Sequence, residues 1–234
     1  MKFDVIAFDA DDTLWHNETL FAATKDKFKT LLSPYCSPQT IQEQLDHTEI
    51  RNLQYFGYGI KGFTLSMIET AIQLTDGHIR GSEIQKLIEF AKAMLITPIR
   101  LFEHVEQVLS ALKGSYPLML VTKGDLFDQE SKLARSGLSR HFRHVEILSE
   151  KDAASYRALL ETYRIPPERF LMVGNSLRSD ILPVVEIGAR AVYIPYDVTW
   201  VHENTLPENH ALKNYFQCQH IGELPDLLHA LEQR

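Results

Sequence analysis

The chain has only two cysteines, Cys36 and Cys218, and they have no metal-ligand spacing, so neither a disulfide framework nor a thiolate metal centre is expected. No apolar run is long enough to cross a bilayer, and no charged-then-apolar leader opens the sequence; a cytoplasmic protein without a membrane partner is expected. Excess positive charge is also missing. Twenty-four Lys and Arg stand against 31 Asp and Glu, a net charge of -7, which argues against a nucleic acid polymer as a bulk electrostatic partner. Internal repeats and low-complexity tracts are absent. With 44% hydrophobic residues over 234 positions, the chain has the composition of a globular protein with one large domain, or a domain plus a smaller insertion. Its partners are expected to be small.

Short runs rich in β-branched and aromatic residues recur at 3–8 (FDVIAF), 117–121 (PLMLV), 169–173 (RFLMV) and 190–194 (RAVYI). Helical spacing lies between them: Val105, Val108, Leu109 and Leu112, then Leu159, Leu160 and Tyr163. The alternation predicts an α/β fold, a Rossmann-like parallel sheet with helices on both faces.

From Trp15 to Pro98 the alternation stops. Leu20, Phe21, Phe28, Leu31 and Leu32, then Met67, Ile68, Ala71 and Ile72, then Ile84, Leu87, Ile88 and Ala91 keep helical spacing with no convincing strand. Ser33-Pro34, Ser37-Pro38, Asp76-Gly77 and Thr97-Pro98 punctuate it. The expected division is an α/β core of 1–15 and 99–234 with an all-helical insertion, 16–98. Tyr55, Phe56, Tyr58 and Phe63 are read mainly as helix-to-helix packing.

The first strand runs into Asp9-Ala10-Asp11-Asp12-Thr13. Ligands of open parallel sheets bind beyond the carboxyl ends of the strands, and two acids separated by one residue point the same way in extended chain. Crowded carboxylates repel unless a cation or substrate group compensates; the plainer reading is a capped turn with solvated acids. The other strand ends favour chemistry. Thr122-Lys123-Gly124-Asp125 offers a hydroxyl and backbone amides beside a glycine, a cradle for phosphoryl oxygens. Gly174-Asn175-Ser176-Leu177-Arg178-Ser179-Asp180 offers another carboxylate, and Lys151 follows the short run 145–148. Together these form a phosphate-processing set.

In this order and placement the sequence resembles the haloacid dehalogenase superfamily. Asp9 to Thr13 match its DxDx(T/V) motif, Thr122 its second-motif hydroxyl, Lys151 its third-motif lysine, and Gly174 to Asp180 its acidic fourth motif. The resemblance implies a Mg2+-dependent phosphatase acting on a small phosphorylated metabolite. It implies that Asp9 attacks phosphorus to form an aspartyl-phosphate, and that Asp11 is the general acid and base. Thr122, the Lys123 and Gly124 amides and Lys151 would hold the phosphoryl group, with Lys123 the competing lysine. Asp9, the Asp11 carbonyl, Asp180 and Asn175 would hold the metal. Asn175 departs from the pattern, since many relatives have Asp there. The helical insertion corresponds to the family's first type of cap.

A phosphomutase shares the same core residues. A 2-haloacid dehalogenase needs the Asp9-type nucleophile but neither Asp11 nor a metal, so Asp11 with Asp180 favours phosphoester hydrolysis. A non-catalytic phospholigand binder is the reading from another class, and Asn175 alone points to it. His141 and His144 have helical spacing that could ligate a metal but lack a third ligand and are read as surface or partly buried side chains, Trp200, His202 and Glu203 read as a connecting loop, and His16 and Asn17 are candidates for substrate contact. Oligomeric state stays open.

Overall fold

Val5–Phe8 (β1) buries all four of its residues, as expected for a strand covered on both faces. In the computed structural model, which describes residues 3–196 and 214–233, β1 joins five more strands: Leu118–Lys123 (β2), His144–Leu148 (β3), Phe170–Gly174 (β4), Arg190–Tyr193 (β5) and Tyr215–Gln217 (β6). Their order is β3-β2-β1-β4-β5-β6, and every neighbouring pair is parallel. The fold is α/β and Rossmann-like.

Alternation along the strands builds two cores. Ile6, Phe8, Leu118, Leu120, Leu171, Val173 and Val192 face one side, where they meet Val105, Val108, Leu109 and Leu112 of Val105–Lys113 (α5) and Leu224, Leu228 and Leu231 of the helix Leu224–Glu232. Val5, Ala7, Met119, Val121, Phe170, Met172 and Ala191 face the other, against Tyr156, Leu159 and Leu160 of Ala153–Tyr163 (α7). Strand period 2 and helix period 3.6 thus meet on each face.

The chain divides into two compact units, one of Met1–Glu18, Ile99–Lys123 and Ser131–Arg234, the other of Thr19–Pro98 and Gly124–Glu130. The second contains four helices, Glu18–Leu32 (α1, all but its first residue), Pro38–Phe56 (α2), Ile60–Leu74 (α3) and Gly81–Ile96 (α4). Phe28, Leu32, Ile41, Leu45, Phe63, Met67, Leu87 and Met94 form its core. Ser37 caps α2 by accepting from the Thr40 N–H at 3.2 Å, with Pro38 in the first turn. The segment 124–130 joins this unit in part through Asp125, which accepts from the Lys61 ammonium at 2.9 and 3.0 Å.

Two readings change. Of the aromatic group in 55–63, Phe63 enters the core, whereas Tyr55 and Phe56, at the end of α2, are exposed. His141 lies in a short 3-10 turn and His144 opens β3, so they do not share a helix face.

Candidate active site

Strands are added outward to either side of the β1–β4 pair, the switch point of the sheet, and all run parallel, so the loops after β1, β2, β3 and β4 lie at one end. Asp9 follows β1 and is fixed by its own N–H, which donates to the Val173 carbonyl of β4 at 2.9 Å. Its side chain is buried. Oδ1 accepts from the Lys151 ammonium at 2.5 Å, and Oδ2 from the Thr13 hydroxyl at 3.0 Å.

Lys151, three residues past β3, is also buried and donates to Asp180 Oδ1 at 2.7 Å. Asp180 sits in a π-helical turn, Leu177–Ile181, after β4, and its Oδ2 accepts from the Ser176 N–H at 3.0 Å. Such turns recur at functional sites because they re-aim side chains that a regular helix would direct elsewhere. The Thr13 hydroxyl is 3.2 Å from Asn175 Oδ1, which places the amide beside Asp9. Asp9, Thr13, Lys151, Asn175 and Asp180, spread over more than 170 positions, therefore form one cluster.

Burial pushes the Asp9 carboxyl up to about 7; the Lys151 ammonium opposes that rise and the Asp180 carboxylate adds to it. Burial works against the Lys151 ammonium as well, but the Asp180 and Asp9 carboxylates outweigh it and hold its pKa above the ordinary lysine value. One buried cation between two buried anions leaves the cluster net negative. The oxygens of Asp9, Asp180 and Asn175 are hard donors, the type that suits a hard divalent cation. Among the described residues no group of three or more His, Cys, Asp or Glu is arranged to hold a metal by itself, so such a cation would keep water or substrate oxygens in its shell.

Asp11 and Asp12 diverge from Asp9. Asp11 accepts from the Trp15 indole N–H at 2.6 Å and from the Lys132 ammonium at 2.8 and 2.7 Å. Asp12, in a left-handed conformation at φ 60°, accepts from the Asn17 and Glu18 N–H groups and so caps the start of α1. Burial raises its carboxyl to about 7, against those backbone donors. Thr122 is buried at the end of β2, opposite Ile147 of β3. Of the two competing lysines, Lys151 is the one on Asp9; Lys123 instead donates to Ser179 Oγ at 2.9 Å and lies 3.7 Å from Glu150. Gly124 follows with φ +137°, a conformation that favours glycine, and a Cβ there would meet Gln129 Nε2 at 3.1 Å.

The His16 ring lies 4.0 Å from that of Phe102, tilted by 46°, and shares a 3.2 Å contact with the Tyr196 hydroxyl, while Asn17 Oδ1 accepts from Lys132 at 3.3 Å. Trp200, His202 and Glu203 lie outside the described residues. The sequence reading missed Trp15 and Lys132. The available signal for Lys132 was a lysine one position from Leu133, an inward residue of Leu126–Ser136 (α6).

The family model of haloacid dehalogenase-like hydrolases matches residues 3–188. A haloacid dehalogenase-like family hydrolase from Xanthomonas campestris is 39% identical, with a TM-score of 0.86 over 98% of this chain and 91% of its own. The pyrimidine 5'-nucleotidase of Escherichia coli is 24% identical over 212 residues, 83% of this chain and 87% of the nucleotidase. A HAD-hydrolase from Bacillus subtilis bound to magnesium shares the fold at 17% identity, with a TM-score of 0.65 over 98% of this chain and 100% of its own.

Proposed function

Because the chain belongs to the haloacid dehalogenase-like hydrolase family, we propose that it hydrolyses a small phosphomonoester through a phosphorylated Asp9. The observation that carries this reading is the buried Asp9 carboxylate bonded to Lys151 and Thr13, with a second acid, Asp11, held two residues away by different partners. An Asp9 oxygen attacks phosphorus, the ester P–O bond breaks, and the departing alkoxide takes a proton from Asp11. Asp11, now a carboxylate, takes a proton from a water that attacks the phosphorus of the aspartyl-phosphate. Inorganic phosphate leaves, and both acids return to their starting states.

Lys151 neutralises part of the negative charge that Asp9 and the phosphoryl group bring together. Thr122 and the amide after it hold phosphoryl oxygens. The donor set fits Mg2+, and Asp9, Asp180, Asn175 and the Asp11 carbonyl are the residues that would hold it; when bound it offsets repulsion between nucleophile and phosphate. The Bacillus subtilis protein of the same fold was found bound to magnesium, which accords with a divalent cation in this family.

The helical insertion, 16–98, is assigned as the cap that selects the substrate. A carbon-halogen bond needs no leaving-group proton, so the separately anchored Asp11 favours the phosphoester over the dehalogenase, and the Asp9 and Asp11 pair weighs against the non-catalytic reading to which Asn175 alone points. The E. coli relative acts on pyrimidine nucleotides by its name, so nucleoside monophosphates belong in the substrate panel beside sugar phosphates.

The test is steady-state release of phosphate from that panel, with magnesium and with chelator. Turnover is expected to need the metal and to fall by at least about a hundredfold in Asp9→Asn. Undiminished turnover in that variant would remove Asp9 from the chemistry.

A further inference from the structure

The loop acid Asp11 is gripped by two side chains that the reaction scheme above does not use. The Trp15 indole N–H donates to Oδ1 at 2.6 Å, and the Lys132 ammonium bonds Oδ1 at 2.8 Å and Oδ2 at 2.7 Å. Lys132 leaves only 8% of its side chain exposed, and its ammonium also donates to Asn17 Oδ1 at 3.3 Å. The contact joins residues 121 positions apart, the loop after β1 to α6, and all four residues belong to the same compact unit.

An aspartate on a loop has several staggered rotamers open to it, and a carboxylate bonded through one oxygen can still swing about that contact. Bonding one ammonium to both oxygens, with an indole on one of them, fixes the rotamer and the plane together. A proton donor and acceptor has to reach its partner atom at about 2.6–3.2 Å, and displacement by about 1 Å can cost a hundredfold in rate. A buried lysine is also expensive to desolvate. Its placement on Asp11 is therefore a specific arrangement of charge, one that α6 provides and a solvated surface lysine would not.

We propose that Lys132 is a positioning residue for the reaction, fixing the Asp11 carboxylate in the orientation from which it takes the proton of the attacking water. The inference rests on the role assigned to Asp11 above. It extends the site beyond the four motifs, to α6 and to Trp15.

The experiment compares Lys132→Met, Lys132→Arg, Asp11→Asn and the Asp11→Asn/Lys132→Met double variant on a phosphomonoester that the wild type hydrolyses. It also follows the Trp15 indole N–H resonance, assigned with Trp15→Phe. Lys132→Met is expected to lower kcat by at least about tenfold while KM stays within about twofold. Lys132→Arg recovers part of the loss, and the double variant is no slower than Asp11→Asn alone. The indole resonance moves in Lys132→Met.

Losses that multiply in the double variant, a raised KM with unchanged kcat, or an unmoved indole resonance would each overturn the proposal. If the wild type hydrolyses no phosphomonoester, the functional reading fails separately, and the indole resonance still decides whether Lys132 orients Asp11. Should Lys132→Met not fold, Lys132→Gln, which keeps N–H donors on a shorter stem but not the positive charge, is expected to show the same split between kcat and KM.

Discussion

Gly174 decides where the Asp180 carboxylate can lie. A Cβ at this position would fall 2.3 Å from Asp180 Oδ2 and 2.4 Å from its Cγ, closer than any real contact, and Asp180 is held from the other side by Lys151 and Ser176. Gly174→Ala is expected to destabilise the fold by about 1–3 kcal/mol through overpacking and to lower kcat by moving Asp180. Urea melting with steady-state kinetics checks both effects, and a variant with wild-type stability and rate would contradict the packing argument. At this scale the candidate residues in a fixed local pattern were legible: Asp9, Asp11 and Asp180 stand at strand ends at motif spacing. Lys132 and Trp15 were not, because they meet Asp11 through a contact across 121 positions and in an irregular loop turn. Neither contact leaves a period in the sequence.

Within the helices, the least expected element is a charged group in an otherwise apolar core. Lys25 of α1 reaches Asp46 at 3.2 Å and Glu49 at 2.8 Å, both on α2, and the Lys25 and Glu49 side chains are only 10% and 9% exposed. Burial pushes the Glu49 carboxyl up, and the Lys25 ammonium opposes it. Lys25→Met removes the ammonium that pairs with Glu49 and leaves a buried carboxylate uncompensated, an expected cost of about 3–5 kcal/mol. Chemical denaturation reads it directly; a loss below about 1 kcal/mol would place the pair among weakly contributing surface bridges. Three of the four helices were readable, since Phe28, Met67 and Leu87 keep the apolar period of α1, α3 and α4, whereas the inward face of α2 includes Thr48, Glu49 and Asn52 and gave no apolar run. Tyr55 and Phe56 were misread because composition alone does not say which end of a helix emerges into solvent. The three residues of β6 are too few for alternation to register.

Across the molecule, the position of the cluster follows from strand order. With β1 between β2 and β4, and β3 beside β2, the acids after β1, the hydroxyl at the end of β2, the lysine after β3 and the acid after β4 are delivered to one edge by parallel strands alone. That much was visible as a sequence of strand ends; that Lys151 rather than Lys123 meets Asp9 rested on the motif resemblance, because Lys123 ends β2, Lys151 follows the adjacent β3, and only the loop geometry separates them. The central claim is that Asp9 carries the phosphoryl group during turnover. Its most direct test is acid quenching of the enzyme during hydrolysis of a phosphomonoester, followed by mass analysis of the peptide containing Asp9. The account predicts one added phosphoryl group on Asp9 in the wild type and none in Asp9→Asn. Steady turnover with the phosphoryl group on another residue would contradict it.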